Sequence, residues 1–497
     1  MKRFFEMIPG ILAWATIILM VLFSWLLPVW ISIFIILFDI YWVLKTVYLS
    51  LHLRATFSEM RRVMKVDWLA RIREDLANVS PALSEIYHLV ILPMYNEPYE
   101  VVRESFESIA KSNYPNEKLL VVLALEERAG ERAREVGRKI ESEYGNAFGK
   151  FLITSHPGGS PDEIPGKGSN EVWAGKQAKK IFIDPMGIPP ENILVSVFDI
   201  DTQVFPQYFS RLTYVFLSTE KRWNAIYQPI PLFTNNIYEA PALARVVAFS
   251  TTFWQMMQQS RPERLTSFSS QSISLKTLLD VGWWQKDIVS EDSRIFWQGY
   301  LAYHGDFRVE PLFYPVSMDA NVAPGFWATL KNIYKQQRRW GWGCENIPYM
   351  LEGFRNDPSI PASKKRYWTF NVIEGFHSWA TNALIIFALG WLPIILGGAH
   401  FGHSLFSYDL PHITRFIVAL SMIGVASSAI LSVMLLPPRP GGAPLRARDY
   451  LIYVLQWVLM PLTLIIFGAF PGLEAQTRLM LGGKYRLGFW VTPKGRY

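Results

Sequence analysis

Two aspartates flank one isoleucine at Asp199-Ile200-Asp201, directly after the apolar run Ile193-Leu194-Val195-Ser196-Val197-Phe198. Carboxylates this close at a strand's end can hold a hard divalent cation that also grips phosphate oxygens, and an exposed turn or helix cap uses the same residues without an ion. Lys167-Gly168-Ser169-Asn170 follows turn formers at Pro157-Gly158-Gly159 and Pro165-Gly166. It reads either as a flexible loop wrapping a phosphate-bearing ligand, ammonium toward phosphate and amide toward sugar or ribose, or as a mobile surface loop. The Walker A pattern is absent. Ser290-Glu291-Asp292 lies between Val281-Gly282-Trp283-Trp284 and Ile295-Phe296-Trp297. A carboxylate in such a partly desolvated setting suits a general base. The same triplet is a helix start, Ser290 as cap and two acids in the first turn, and both readings can hold at once. Gln336-Gln337-Arg338-Arg339-Trp340 closes an amphipathic helix predicted from near Phe326. Arg339 can pair with a diphosphate while Trp340 offers a platform to a sugar ring; alternatively the basic residues snorkel from an interfacial helix. Glu126-Glu127 either touch a nucleoside or start the next helix.

These residues need a frame. Buried strand-like runs, His88-Leu89-Val90-Ile91-Leu92, Leu119 to Leu125, Phe151 to Ser155 and Ile193 to Phe198, alternate with helical stretches at Glu100 to Ala110 and Glu126 to Glu143. The alternation predicts an α/β domain with a mostly parallel sheet, and ligands of such sheets bind at the carboxyl ends of the strands. Three of those ends carry Asn96-Glu97, Glu126-Glu127 and Asp199-Asp201.

Composition places the domain at a membrane. Of 497 residues, 50% are hydrophobic and only 18% charged, with 19 Trp, and the apolar residues collect at the two ends. Residues 1–54 predict two transmembrane helices turning at Leu27-Pro28, with Lys2, Arg3, Arg54, Arg61 and Arg62 placing both outer ends in the cytoplasm. Residues 55–370 read as a cytoplasmic domain with interfacial helices. Residues 371–475 hold about three further spans, at 377–398, 412–436 and 450–472. The tail, 476–497, carries Arg478, Lys484, Arg486, Lys494 and Arg496. Three later spans put this basic tail outside, so either the charge rule fails or the segment around Pro461 is re-entrant; an interfacial strap is the other reading. The net charge of +7 comes without a basic stripe or a nucleic-acid module, so nucleic acid is not an expected partner. The lone Cys344 excludes an intramolecular disulfide and a Cys-based zinc cluster.

The ordered set resembles processive family 2 glycosyltransferases of the cellulose, chitin and hyaluronan synthase type, over residues 91 to 340 by motif and nearly the whole chain by layout. The resemblance implies a GT-A (Rossmann-like) catalytic domain inserted between transmembrane α-helices, a UDP-sugar donor and Mg2+ or Mn2+. It implies that Pro93, Asn96 and Glu97, within Ile91-Leu92-Pro93-Met94-Tyr95-Asn96-Glu97, contact the nucleotide, together with Glu126, Lys167, Asn170 and Asp199. Asp199 and Asp201 match the metal-binding DxD, Asp292 becomes the catalytic base, and Gln336, Arg339 and Trp340 match QxxRW. Two departures stand: Glu126-Glu127 replaces an aspartate pair, and Thr266-Ser267-Phe268-Ser269-Ser270-Gln271 stands where a Phe-Phe-Cys-Gly-Ser-like acceptor motif is usual. The implied partners are a nucleotide-sugar, a growing glycan or lipid-linked acceptor, the lipid bilayer and polysaccharide export partners. The implied place is the plasma membrane, multi-pass. The competing expectations are transfer of one sugar to a lipid or lipid-linked acceptor, and a transporter or scaffold with an inactive α/β domain.

Overall fold

The computed structural model describes residues 1–159, 162–493 and 495; Lys494 and Arg496 of the basic tail lie outside the described residues. An eight-stranded sheet forms the centre: β1 (Tyr87–Met94), β2 (Leu119–Glu126), β3 (Lys150–His156), β4 (Ile193–Val197), β5 (Gln203–Val204), β6 (Ala225–Phe233), β7 (Ser272–Ser274) and β8 (Arg308–Met318). They lie in the order β3-β2-β1-β4-β7-β6-β8-β5. The first four pair in parallel, whereas β7 opposes both β4 and β6, and β5 opposes β8. The sheet is therefore mixed, with only β7 and β5 running against the rest.

Side-chain alternation explains why helices cover both faces. Val90, Leu92, Val121, Leu123 and Leu125 enter one core with Phe106, Ile140 and Phe209. Their neighbours Leu89, Ile91, Leu120, Val122 and Ala124 enter the other with Val172, Phe182 and Phe296. Strands buried on both faces need this continuous apolar run, and the crossover helices supply the cover. Pro93 sits in β1 opposite Ala124 of β2, beyond the last β1–β4 pair at Ile91 and Val197, where its missing N–H costs no bond to β4.

The apolar ends form long helices. Lys2–Leu26, Pro28–Val63, Leu405–Met434 and Ala447–Leu481 are each long and apolar enough to cross a membrane, and Ala362–Phe387 with Leu389–Leu396 forms a pair bent by 45°. The second helix runs past residue 54 and plants Leu53, Phe57 and Met60 in a core shared with Ile230, Phe249 and Phe253 of the domain. The Ala362–Phe387 helix likewise starts before residue 371, and Trp368 packs among Phe296, Trp297 and Tyr300. The boundaries at 54 and 371 thus cut helices that are continuous, because one side of each is covered by the domain.

Candidate active site

The carboxyl ends of β1, β2, β4 and β8 deliver Glu97, Glu126, Asp199, Asp201 and Asp319 to one edge of the sheet. Lys167 meets this edge from the start of a helix, Lys167–Ala178. The flexible loop expected at Lys167–Asn170 is thus a helical turn. The reason lies in Asn170, whose buried amide donates to the Ala124 carbonyl of β2 at 2.7 Å, and in Ser169, whose hydroxyl donates to the Gly166 carbonyl at 3.1 Å. Gly168 permits close approach here: a Cβ would lie 3.2 Å from both Cβ and Cγ of Glu291.

The Lys167 ammonium lies 2.8 Å from Asp199 Oδ1, and 3.0 and 2.9 Å from the two oxygens of Asp292. Glu171, one turn along, is 3.6 Å away. Burial works against the ammonium's charge, but Asp199, Asp292 and Glu171 outweigh it and hold its pKa well above the ordinary 10.5. Burial pushes Asp292 up, with Lys167 opposing and the charge of Asp199 adding to the rise. Glu291 is pushed up to about 8, by burial first and then by Asp292.

Asp292 stands in the first turn of the Glu291–Ala302 helix, and Ser290 precedes it without capping it. The expected cap fails because the Ser290 hydroxyl donates to Glu345 Oε1 at 2.6 Å instead. The same oxygen accepts from the amides of Val289 and Ser290, while Oε2 accepts from Trp342 Nε1 at 2.9 Å. One half-buried carboxylate, that of Glu345, therefore anchors the approach to Asp292. From the other side, Ser267 Oγ and Gln271 Nε2 donate to the Asp292 carbonyl at 2.6 and 3.1 Å. The hydroxyl-rich segment 266–271 thus braces the Asp292 backbone.

The remaining residues group around this centre. Asp201 is buried, and its Oδ2 accepts from the Asp319 amide at 2.9 Å, tying the ends of β4 and β8 together. Asn235 adds a second tie, donating to the Asp201 carbonyl and to Asp319 Oδ1. Glu97 folds back, one carboxylate oxygen accepting from the amides of Tyr95 and Asn96 at 2.8 and 3.0 Å, so it shapes the loop after β1 while the Asn96 side chain stays exposed. Glu126 pairs with Arg128 at 2.5 Å, and Arg128 lies over the Tyr95 ring. Beside them is a cleft of about 180 Å³ whose lining includes His156, Gly158 and Glu163. Arg339 acts electrostatically on Glu291 and Asp292, and its guanidinium faces the Phe489 ring at 5.1 Å. Gln336 Oε1 accepts from Asn321 at 3.3 Å, and Trp340 lies between Phe233 and Phe268.

Asp199, Asp201, Lys167, Asp292 and Arg339 therefore share one site, with Glu97 and Glu126 along its rim, whereas Asn170 faces the sheet. Glu171 and Glu345 belong to the site without having been singled out in sequence. Glu171 carried one available signal, its i, i+4 spacing from Lys167.

No known protein family matches the chain, and no curated protein matches it in sequence. Among solved structures it is similar to the mannosyltransferase PcManGT from Pyrobaculum calidifontis in complex with GDP-Man and Mn2+, at 13% identity and a TM-score of 0.39 over 83% of this chain and 99% of that one. It is also similar to S. aureus TarS 1–349, at 12% identity and a TM-score of 0.36 over 73% of this chain and 93% of that one. The same TarS fragment in complex with UDP-GlcNAc matches at 14% identity and a TM-score of 0.30, over 69% and 90% of the two chains.

Proposed function

We propose that the chain is a membrane-bound inverting glycosyltransferase that uses a UDP-sugar donor to elongate a cell-surface polysaccharide. The observation that carries the reading is the placement of Asp199 and Asp292, from two separate elements, on the two sides of one ammonium, 2.8 and 2.9 Å from it. A transferase of this kind needs a cation-binding carboxylate on the donor side and a base on the acceptor side, within one substrate's reach of each other.

The donor set fits a hard cation. Asp199 offers carboxylate oxygens that already hold a positive charge, the Lys167 ammonium, and Asp201 stands two residues on with its Oδ2 bonded to the Asp319 amide. Mg2+ or Mn2+ held by Asp199 and Asp201 would offset negative charge on the departing diphosphate. Lys167 and Arg339 are the chain's own cations for that diphosphate. Asp292 takes the proton of the acceptor hydroxyl as its oxygen bonds to the anomeric carbon; the bond from that carbon to the diphosphate breaks and the electron pair leaves with UDP. The burial that raises the basicity of Asp292 suits it to this task. Trp340, held edge-on by Phe268, presents its ring to an acceptor sugar. Pro93, Asn96 and Glu97 shape the nucleotide side, and Glu126 reads the nucleoside from the rim of the cleft.

Asp292→Asn tests the assignment. Transfer is expected to fall by about 10²–10⁴-fold with UDP binding, measured by calorimetry, unchanged. Full turnover in this variant overturns the base assignment. A panel of radiolabelled UDP-sugars with Mg2+ or Mn2+ identifies the donor. A product ladder supports elongation, and a single addition replaces it with transfer to a lipid-linked acceptor.

A further inference from the structure

Between the Leu405–Met434 and Ala447–Leu481 helices the chain forms a cleft of about 410 Å³ that the proposed transfer does not use. Its lining includes Arg439, Arg446, Arg448 and Asp449, with Pro444 and Leu445 between them. Two glycines let so short a connection fold back on itself: Gly441 and Gly442 take φ +79 and +72, and the Gly442 amide donates to the Arg439 carbonyl at 2.9 Å. Asp449 gathers the guanidiniums around one point. Its Oδ2 accepts from the Arg446 amide at 3.0 Å, and its carboxylate lies 3.5 and 3.8 Å from Arg439 and Arg448. One carboxylate against three guanidiniums leaves the lining with two positive charges in excess.

The domain holds this cleft in shape. Arg439 faces the Tyr238 ring at 5.6 Å, and the Tyr238 hydroxyl donates to the Pro437 carbonyl at 2.5 Å. Tyr453, one turn into the second helix, packs edge-on against the same ring, with Arg245 over its other contacts at 4.9 Å. Both ends of the connection are therefore fixed, and a ligand meets guanidiniums that need little reordering. The outer side differs sharply. Leu451, Leu455, Val458 and Leu462 recur at intervals of three and four, so they form one stripe, and all four are exposed. Ile430 and Met434, near the end of the first helix, are exposed too.

Positive charge and bare apolar surface this close together define the ligand's class. A free anion would use the guanidiniums and leave the stripe uncovered, whereas a lipid with a charged phosphate headgroup uses both. We propose that the cleft binds the headgroup of an anionic phospholipid, whose acyl chains lie along the stripe from Leu451 to Leu462. A phosphocholine headgroup carries its own cation and no net charge, so the two excess positive charges of the lining select against it. The site is separate from Asp199 and Asp292 and does not depend on the transfer reaction.

The test uses the purified full chain in a neutral detergent, titrated with fluorescent phosphatidylglycerol. Saturable binding is expected, displaced by unlabelled phosphatidylglycerol and not by phosphatidylcholine or inorganic phosphate. The joint variant Arg439→Gln, Arg446→Gln, Arg448→Gln should bind about tenfold or more weakly. An equal loss of charge in the domain, by Arg132→Gln, Arg134→Gln and Lys139→Gln, should leave binding unchanged. Equal displacement by phosphatidylcholine overturns the proposal, and that measurement needs no variant to fold. Displacement by inorganic phosphate at the same concentration as by phosphatidylglycerol overturns it as well, since the cleft would then hold a free anion. So does wild-type affinity in the joint arginine variant, or an equal loss of affinity in the domain variant, which would make the attraction one of net charge alone.

Discussion

Replacing Lys167 by Met would leave Asp199, Glu171 and Asp292 facing one another without the ammonium that lies within 3.6 Å of each. Removing one partner of a buried ion pair costs roughly 3–5 kcal/mol, and the lower end applies because Asp199 and Asp292 are 27% and 23% exposed. The pH dependence has a definite sign. The pKa of Lys167 is raised in the folded chain, so its stabilisation is whole below the ordinary value of 10.5 and lost only as pH rises through the higher folded value. In Lys167→Met the carboxylates lose the charge that lowers their pKa. Its deficit against the wild type should therefore be largest at neutral and alkaline pH and shrink as the acids protonate. Denaturant titrations across pH measure this directly, and a deficit that grows on acidification contradicts the ion cluster.

The Lys167–Ala178 helix owes its position to Trp283, which has φ +71 and overlies Gly175 so closely that a Cβ there would meet Cζ3 at 2.5 Å. Gly175→Ala must push the helix from the Trp283 ring, with overpacking of about 1–3 kcal/mol. Because the same helix carries Lys167 and Glu171, kcat should fall by about tenfold or more while UDP affinity falls less. Thermal melting and steady-state kinetics would register both, and a variant of wild-type kcat would show that the helix does not set the geometry of Asp292. Elements of this kind divide sharply in how far the sequence discloses them. β1, β2 and β4 are readable because each is a mostly apolar, buried run followed by a polar strand end, Asp199 among them, and β3 shows as the short run Phe151-Leu152-Ile153 after a charged helix. β6 and β8 are not, since Pro229, Pro231, Pro311 and Pro315 interrupt them; the chain accommodates these prolines with a register shift between Gln228 and Ile230. Lys167 and Asp292 were visible as residues, yet their pairing spans 125 positions and follows only from how the helices cross the sheet edge. Glu171 was hidden for the same reason, because Glu291 and Asp292 beside it are supplied by another element.

The whole molecule holds its last apolar helix against the domain along its length. Near its start, Gln456 accepts from Arg245 at 2.7 Å and Trp457 stacks on Phe253. Phe467 enters the core that contains Ile230 and Ile333, and Glu474 accepts from Tyr334 and Arg338 at 2.8 and 2.7 Å. At its end the Leu479 carbonyl accepts from Arg3, Arg486 pairs with Glu6, and Phe489 and Trp490 lie against Arg339 and Lys335 of the Phe326–Gly341 helix. A helix crossing a hydrocarbon layer of about 30 Å must have its two ends on opposite faces. Here both ends touch the domain that the preceding helices carry. We therefore predict that Ala447–Leu481 lies along the membrane's domain-side face, that Lys2–Leu26, Pro28–Val63, the bent pair and Leu405–Met434 make four crossings, and that the basic tail shares the side of Lys2 and Arg3. This arrangement also returns the tail's positive charge to the side where such residues are retained. The native Cys344 is buried, so single cysteines introduced by Gly488→Cys in the tail, Arg132→Cys in the domain and Gly402→Cys before the Leu405–Met434 helix report on sidedness. A membrane-impermeant thiol reagent applied to oriented vesicles should label the tail and domain cysteines from one side and the third from the other. Labelling of the tail together with Gly402→Cys would mean that Ala447–Leu481 crosses, and that the contacts from Gln456 to Trp490 do not form in the membrane.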